Sequence, residues 1–222
     1  MSKRAKLVVL TIAAAITYND WLLSPFLNRH LWSKDGSLSE YSIASQPYHL
    51  VFRLIDVLSG ILLIYIGFRI YKLIQQYKTG RLFGLSVILL GVANILDACF
   101  VLPCSETLSK SCSVPISLSL HHFRMPAHAY SSSLIGLCYF ILPMLALIFA
   151  YRKRLSRLVG FSLLVVLESL YSLGSLLVMY NRAGGPTTKA SGSGQVIEML
   201  LLGIWLVFCV YELAVERPRA LD

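Results

Sequence analysis

Six apolar runs constrain this chain more than any other feature. Each is about 20 residues long, the length that a helix needs to cross the hydrocarbon of a bilayer. The runs are continuous rather than alternating, and backbone polar groups cannot stay unpaired in hydrocarbon, so we expect helices and not barrel strands. The predicted fold class is an all-α integral membrane protein, a six-transmembrane-helix bundle that forms a single membrane domain over residues 1–222. The predicted spans lie near residues 7–27, 48–71, 82–102, 127–150, 158–180 and 195–214.

The composition agrees with this assignment. Hydrophobic residues make up 56% of the chain and charged residues only 14%, which is far outside the range of ordinary globular domains. The first run could also begin a signal peptide, because Lys3, Arg4 and Lys6 precede it and three alanines follow. We favour an uncleaved helix, because the apolar stretch continues to Leu23.

The basic residues predict the orientation. With the amino terminus inside, 13 Lys and Arg residues fall on the inner side and six on the outer side, while Arg53 lies within a span. This bias predicts that both termini are cytoplasmic. The net charge of +9 then reflects topology and attraction to lipid headgroups rather than nucleic-acid binding, because no soluble segment is long enough to form a basic binding face. We expect a multi-pass protein of the cell membrane, of the bacterial inner-membrane type, with membrane lipids as partners.

Two cysteines lie in the second of three outer loops, which span residues 28–47, 103–126 and 181–194. Cys104 and Cys112 are close in sequence, and on the oxidising side of a membrane we expect them to form a disulfide. Free thiols are the alternative.

Polar groups recur at a similar outer depth in five of the six spans. All five histidines map to the outer side or to the outermost turn of a span, and acidic residues and hydroxyls lie near them. Ionisable groups inside a membrane are costly and indicate a site or a compensated pair. We interpret them as a polar pocket that opens to the outer leaflet. In the alternative, each group is satisfied separately, for example by Arg53 pairing with Asp56 along the helix.

The pocket could support several chemistries. The catalytic candidates are His128, Asp97, Ser131 and Ser132. The substrate-binding candidates are His49, Arg53, Asp56, Arg124 and Glu198, whose arginines would suit an anionic headgroup. The candidates for a zinc site are His121, His122, His128 and Asp97. The histidine spacing lacks the i, i+4 pair of a metalloprotease helix, and no nucleophile-elbow pattern surrounds the serines.

Glu168 lies near the middle of the fifth span. A lone carboxyl at that depth must be protonated, paired or exposed to water. It would serve as a proton-relay or gating residue in a transporter, or as a protonated group bonded to a neighbouring helix.

Three segments carry a family resemblance: SEYSIASQPYHLVFRLIDVLSGILL, FVLPCSETLSKSCS and HHFRMPAHAYSSS. They resemble the bacterial six-helix membrane family known as domain of unknown function 998, which is more distantly similar to the Frag1/DRAM/Sfk1 membrane proteins. In that family an acidic residue usually precedes the first loop cysteine, where this chain has Pro103, so that role would pass to Glu106 or Asp97. The positions that the resemblance carries over are Arg53, Asp56, Cys104, Cys112, His122, His128 and the serine following it.

Three functions remain open at this point. The leading hypothesis is an outward-facing pocket that binds a lipid or lipid-linked amphiphile, with metal-dependent hydrolase or transferase activity as an extension of it. The second is a small-solute or proton-coupled transporter that uses Glu168. The third is a non-catalytic assembly or sensor subunit, with a second copy of the chain or another membrane protein as its partner.

Overall fold

The computed structural model describes residues 2–109, 112, 117–119, 122–124, 127–183 and 192–215. The α-helices are α1 (Lys3–Tyr18), α2 (Ser24–Leu27), α3 (Arg29–Trp32), α4 (His49–Leu73), α5 (Lys78–Cys99), α6 (Ala127–Arg152), α7 (Ser156–Ala183) and α8 (Gly192–Val215). Two 3-10 helices, Asp20–Leu23 and Leu38–Ser42, lie between α1 and α4. A short antiparallel hairpin of β1 (Ser117–Ser119) and β2 (His122–Arg124) precedes α6.

The all-helical membrane architecture is confirmed. Helices α4 to α8 each contain a segment long and apolar enough to cross a membrane, and α1 with the short helices that follow it forms a sixth, bent candidate. The first span therefore differs from the predicted straight run over residues 7–27, because the chain bends by 56° after Tyr18. The Asn19 side chain accounts for this break. Its Nδ2 donates to the carbonyl of Ala15, and its Oδ1 accepts from Trp21 Nε1. The side chain thus makes hydrogen bonds in place of those that the backbone of a continuing helix would make.

The long helices pack in a closed ring. Each contacts its two neighbours in the order α1, α4, α5, α6, α7, α8 and back to α1. Apolar side chains fill one half of the ring interior, where Trp205 packs edge-on against Phe83 with ring centroids 6.0 Å apart. The other half, where α4 begins and α5 ends, carries the connecting segments of residues 19–48 and 100–109. We refer to it as the loop end.

Glycines bring α4 and α5 into close contact along their length. A Cβ atom at Gly91 would lie 2.5 Å from the carbonyl oxygen of Gly60, and one at Gly67 would lie 2.8 Å from that of Gly84. Small residues of this kind let helix backbones approach in a membrane. Nearer the loop end, side chains continue the same contact. Asn94 Nδ2 donates to the carbonyl of Asp56 at 2.8 Å, in register with the glycine pairs.

The loop end is fastened by three polar or covalent links. The 3-10 helix Leu38–Ser42, which we name the cap segment, donates its Leu38 N–H to Gln195 Oε1 of α8 at 2.8 Å. Glu40 Oε1 accepts from the backbone N–H of Thr107 at 3.0 Å, which joins the cap segment to the loop after α5. That loop is closed by a Cys104–Cys112 disulfide, as the sequence predicts.

We predict that Gly91→Ala destabilises the folded protein by about 1–3 kcal/mol, the usual effect of overpacking, because the new methyl group would collide with the α4 backbone. Gly160→Ala is the matched control. A Cβ there meets nothing within 4 Å, so the substitution should be neutral or mildly stabilising. The measurement is reversible unfolding in detergent. Equal stability of the two variants would contradict the close α4–α5 contact.

Candidate functional site

The loop end of the ring encloses a cavity of about 740 Å³. Side chains from all six long helices and from the cap segment line it. The polar part of the wall consists of Tyr18, Asp20, Ser39, Tyr41, Ser42, Asp56, Asn94, Asp97, His128, Ser132, Ser133, Tyr139, Ser169, Ser172, Gln195 and Glu198. This volume is within the range of small-molecule sites, and polar groups of several helices converge on it.

Four carboxyl groups share this wall. They belong to Asp20, Asp56, Asp97 and Glu198, and each comes from a different segment of the chain. No Lys or Arg is present among the lining residues that the structure describes. The wall therefore offers many hydrogen-bond acceptors and, in its described part, no side chain with a permanent positive charge.

The tightest cluster of polar contacts is centred on one oxygen of Asp97. Its Oδ1 accepts from the hydroxyls of Ser131 and Ser132, at 2.6 and 2.8 Å. It also lies 3.2 Å from Nδ1 of His128. Helix α6 produces this arrangement, because residues i, i+3 and i+4 share a helix face, and the end of α5 supplies the acid.

A backbone carbonyl determines which nitrogen of His128 carries the proton in the neutral ring. Nδ1 lies 2.9 Å from the carbonyl oxygen of Phe100, which can only accept, so Nδ1 must be the N–H. Nε2 then has a lone pair, and its contact is the Ser132 hydroxyl at 3.2 Å. His128 is buried, at 7% exposure. The ring is thus held with one nitrogen toward an acid and a carbonyl, and the other toward a serine.

The cap segment adds a neutral hydroxyl group to the wall. Burial raises the pKa of Tyr41 to about 12, so its hydroxyl stays protonated at physiological pH. That hydroxyl is buried beside the Ser24 side chain, and Tyr41 lines the cavity.

The structure brings together most of the predicted site residues that it describes. Asp56, Asp97, His128, Ser132 and Glu198 line one cavity. The remaining catalytic candidate, Ser131, is buried and reaches the cluster through its bond to Asp97.

Two predicted binding residues point elsewhere. Arg53 is not on the cavity wall, and its Nε donates to the carbonyl of Ala98 at 2.9 Å. It therefore forms part of the α4–α5 contact and makes no ion pair with Asp56 within 4.0 Å. His49 Nδ1 lies 3.0 Å from the carbonyl oxygen of Gln46, close to where α4 begins. Glu168 is half-buried and off the wall, whereas the next residue, Ser169, is on it.

The remaining predicted residues lie in the loop before α6. His121 lies outside the described residues. His122 and Arg124 are described only as backbone positions of β2. No cluster of three or more His, Cys, Asp or Glu suited to a metal ion occurs in the part of the chain that the structure describes. Because His121 lies outside that part and His122 is described only as backbone, the zinc site stays a prediction.

Sequence reasoning missed the aromatic part of the wall. Tyr18 and Tyr139 line the cavity, and their hydroxyls lie 2.6 Å apart. Trp21 also lines it and stacks on Trp32, with ring centroids 6.3 Å apart. Aromatic residues are common throughout transmembrane helices, so the sequence contains no signal that separates these from residues that contact lipid.

The comparison with protein families agrees with this architecture. A family model described as "Protein of unknown function (DUF998)" matches residues 11–211. The chain belongs to the DUF998 family. The match runs from within α1 to within α8, so the DUF998 region includes the whole helix ring and its cavity, and the resemblance seen in the sequence is confirmed. No curated protein and no solved structure matches the chain. The more distant similarity to Frag1/DRAM/Sfk1 proteins stays a prediction.

We predict that Asp97→Ala destabilises the protein by about 1–3 kcal/mol. The substitution removes the acceptor that the Ser131 and Ser132 hydroxyls share, and a buried donor that loses its acceptor costs about 1–3 kcal/mol.

Asp97→Asn is the matched variant, because its amide keeps an oxygen at the position of Oδ1, and we expect less than half of the loss. Thermal unfolding of both variants in the same detergent measures the difference. An Asp97→Ala variant as stable as the wild type would contradict the shared-acceptor arrangement.

Proposed function

We propose that this DUF998 protein binds a lipid or lipid-linked amphiphile in the cavity at its loop end, with the cavity directed toward the outer leaflet. The polar head would contact the carboxyl groups, and the hydrocarbon chain would extend into the surrounding bilayer. The observation that carries this proposal is a wall that is acidic inside and apolar where it reaches the surface of the helix ring.

The apolar part of the wall supports a route for the hydrocarbon chain. Leu137 and Phe140 of α6 and Leu173 of α7 line the cavity, yet they are 51%, 36% and 54% exposed. Side chains that line the cavity and are also exposed on the outer surface mark a place where the cavity opens to that surface. Because the outer surface of a transmembrane ring faces lipid, this gap between α6 and α7 suits a chain that enters from the bilayer.

The polar part of the wall favours a particular head chemistry. Carboxylates accept hydrogen bonds, and Asp56, Asp97 and Glu198 line the wall with no Lys or Arg among the described lining residues. A head with N–H or O–H donors, such as an ammonium group or a polyol, would satisfy these groups. A phosphate head offers mainly acceptors, and no Lys or Arg among the described lining residues would pair with it. Arg53, which would have favoured a phosphate, is engaged with Ala98 instead.

We predict that a long-chain ammonium or polyol amphiphile binds the protein in lipid nanodiscs and changes the fluorescence of Trp21, which lines the cavity. A phosphate amphiphile of equal chain length should bind much more weakly. Glu198→Gln should weaken binding of the ammonium amphiphile about tenfold or more, because charge-assisted hydrogen bonds contribute about 1.5–3 kcal/mol.

Glu168→Gln is the matched control, since it makes the same change in a transmembrane helix off the cavity wall, and it should bind normally. Trp21→Phe should remove the fluorescence change without removing binding. The proposal fails if neither donor-rich amphiphile binds, or if both Glu→Gln variants weaken binding equally.

A further inference from the structure

We infer that Ser132 is a nucleophile, with His128 as its general base and Asp97 as the acid that stabilises the protonated base, and that the cavity carries out acyl transfer from carboxylic esters of amphiphiles. This inference rests on the proposed function, because it takes the bound amphiphile as the substrate. It assigns the reaction to side chains of this chain, without a metal ligand set.

The three side chains are in mutual contact. Nδ1 of His128 donates to the Phe100 carbonyl at 2.9 Å and lies 3.2 Å from the Asp97 carboxyl oxygen. The Ser132 hydroxyl lies 3.2 Å from the other ring nitrogen, Nε2. A base that is oriented on one side and faces a hydroxyl on the other is the general requirement for serine activation. The carbonyl of Phe100 fixes the neutral tautomer that leaves Nε2 free to accept a proton.

The competing acceptor for the Ser132 proton is Asp97 Oδ1, at 2.8 Å. That oxygen already receives the Ser131 hydroxyl and lies beside the Nδ1 proton. Nε2, by comparison, contacts the Ser132 hydroxyl, so its lone pair is available to accept the serine proton. Rotation of the Ser132 hydroxyl from Asp97 Oδ1 to His128 Nε2 directs its proton at the general base, which is the arrangement that nucleophilic attack requires.

The position of Ser132 also suits a nucleophile. It lines the cavity, whereas its neighbour Ser131 is 3% exposed and does not. The apolar gap between α6 and α7 opens beside it, since Leu137 and Phe140 follow on the same helix. If the acyl chain lies in that gap, its ester carbonyl lies at the edge of the carboxyl-lined part of the cavity. The alcohol part of the ester then points toward the carboxyl groups.

The reaction proceeds in two balanced steps. In the first, Ser132 Oγ bonds to the carbonyl carbon, its proton passes to His128 Nε2, and the C–O bond to the alcohol breaks. The alcohol leaves with the proton from Nε2, so the products are an acyl-serine and the free polyol or amino alcohol. In the second, water or another alcohol attacks the acyl-serine, gives its proton to Nε2 and releases Ser132, which takes the proton back.

The inference is tested with a short-chain alkyl fluorophosphonate, which forms a stable adduct when an activated serine displaces its fluoride. The full-length protein is treated in detergent, beside a known serine hydrolase as reagent control, and the adduct is located by peptide mass spectrometry. We expect one adduct, on Ser132. Ser132→Ala should remove it, and Ser86→Ala is the matched control, since Ser86 lies in α5 away from the cavity wall and bonds the carbonyl of Leu82. That control should be labelled like the wild type.

The role of the base is measured by the labelling rate. His128→Ala should lower it at least about 100-fold, as expected for loss of a general base, and Asp97→Asn serves as a second variant if His128→Ala does not fold. An adduct on Ser133, or no adduct on folded wild-type protein, would overturn the inference. Unchanged labelling in folded His128→Ala would overturn it as well.

The substrate class is tested separately with a fatty-acid monoester of a polyol. We expect fatty acid to be released by the wild type and by Ser86→Ala, and at least about 100-fold more slowly by Ser132→Ala. Amphiphile binding without any adduct would leave the proposed function standing and reject the nucleophile. An adduct on Ser132 in protein that binds no amphiphile would reject the substrate class and the proposed function together.

Discussion

The close contact between the backbones of α4 and α5 is the constraint on which the site depends. Gly60 and Gly91 meet where no side chain would fit, and about one turn further on Asn94 donates to the carbonyl of Asp56. At the loop end Arg53 donates to Ala98. These contacts follow one antiparallel register, so they fix the rotation and depth of both helices. The acids Asp56 and Asp97 therefore face one interior rather than two separate surfaces of the bundle.

Burial explains why the polar groups of the site are connected rather than scattered. A carboxyl group or an imidazole within a transmembrane ring loses its water, and each needs partners from neighbouring helices. Asp97 obtains them from α6, through Ser131, Ser132 and His128. The carbonyl of Phe100, at the end of α5, holds the histidine in one tautomer. In this way a requirement of stability in the membrane also positions groups that are suited to chemistry.

The sequence predicted the features of the structure that depend on hydropathy and on depth in the membrane. Long apolar runs predicted the spans, and the rarity of ionisable groups within them indicated Asp56, Asp97, His128 and Glu198 as cavity residues. It could not predict the direction of each side chain. Residues 53 and 56 are three apart, about 60° around a helix, and this small rotation separates Arg53 on the α5 contact from Asp56 on the cavity wall.

Other features could not be predicted because they arise only from tertiary contact. The bend after α1 depends on two side-chain bonds of Asn19, and asparagine in a sequence does not indicate which partners it will find. The cap segment reaches the cavity because Gln195 and Thr107, both distant in sequence, hold it there. The position of Tyr41 on the cavity wall is recognisable only after the helices are assembled.

In the proposed function, the polar head of an amphiphile binds at the carboxyl groups of the cavity and its hydrocarbon chain extends between α6 and α7. The decisive test is a crystal structure of the wild-type protein, grown from a lipidic mesophase doped with a long-chain polyol amphiphile. We expect elongated density with its polar end within hydrogen-bonding distance of Asp56 or Glu198 and its chain beside Leu137 and Leu173. A cavity that contains only ordered water, or density whose head lies at the outer surface, would contradict it.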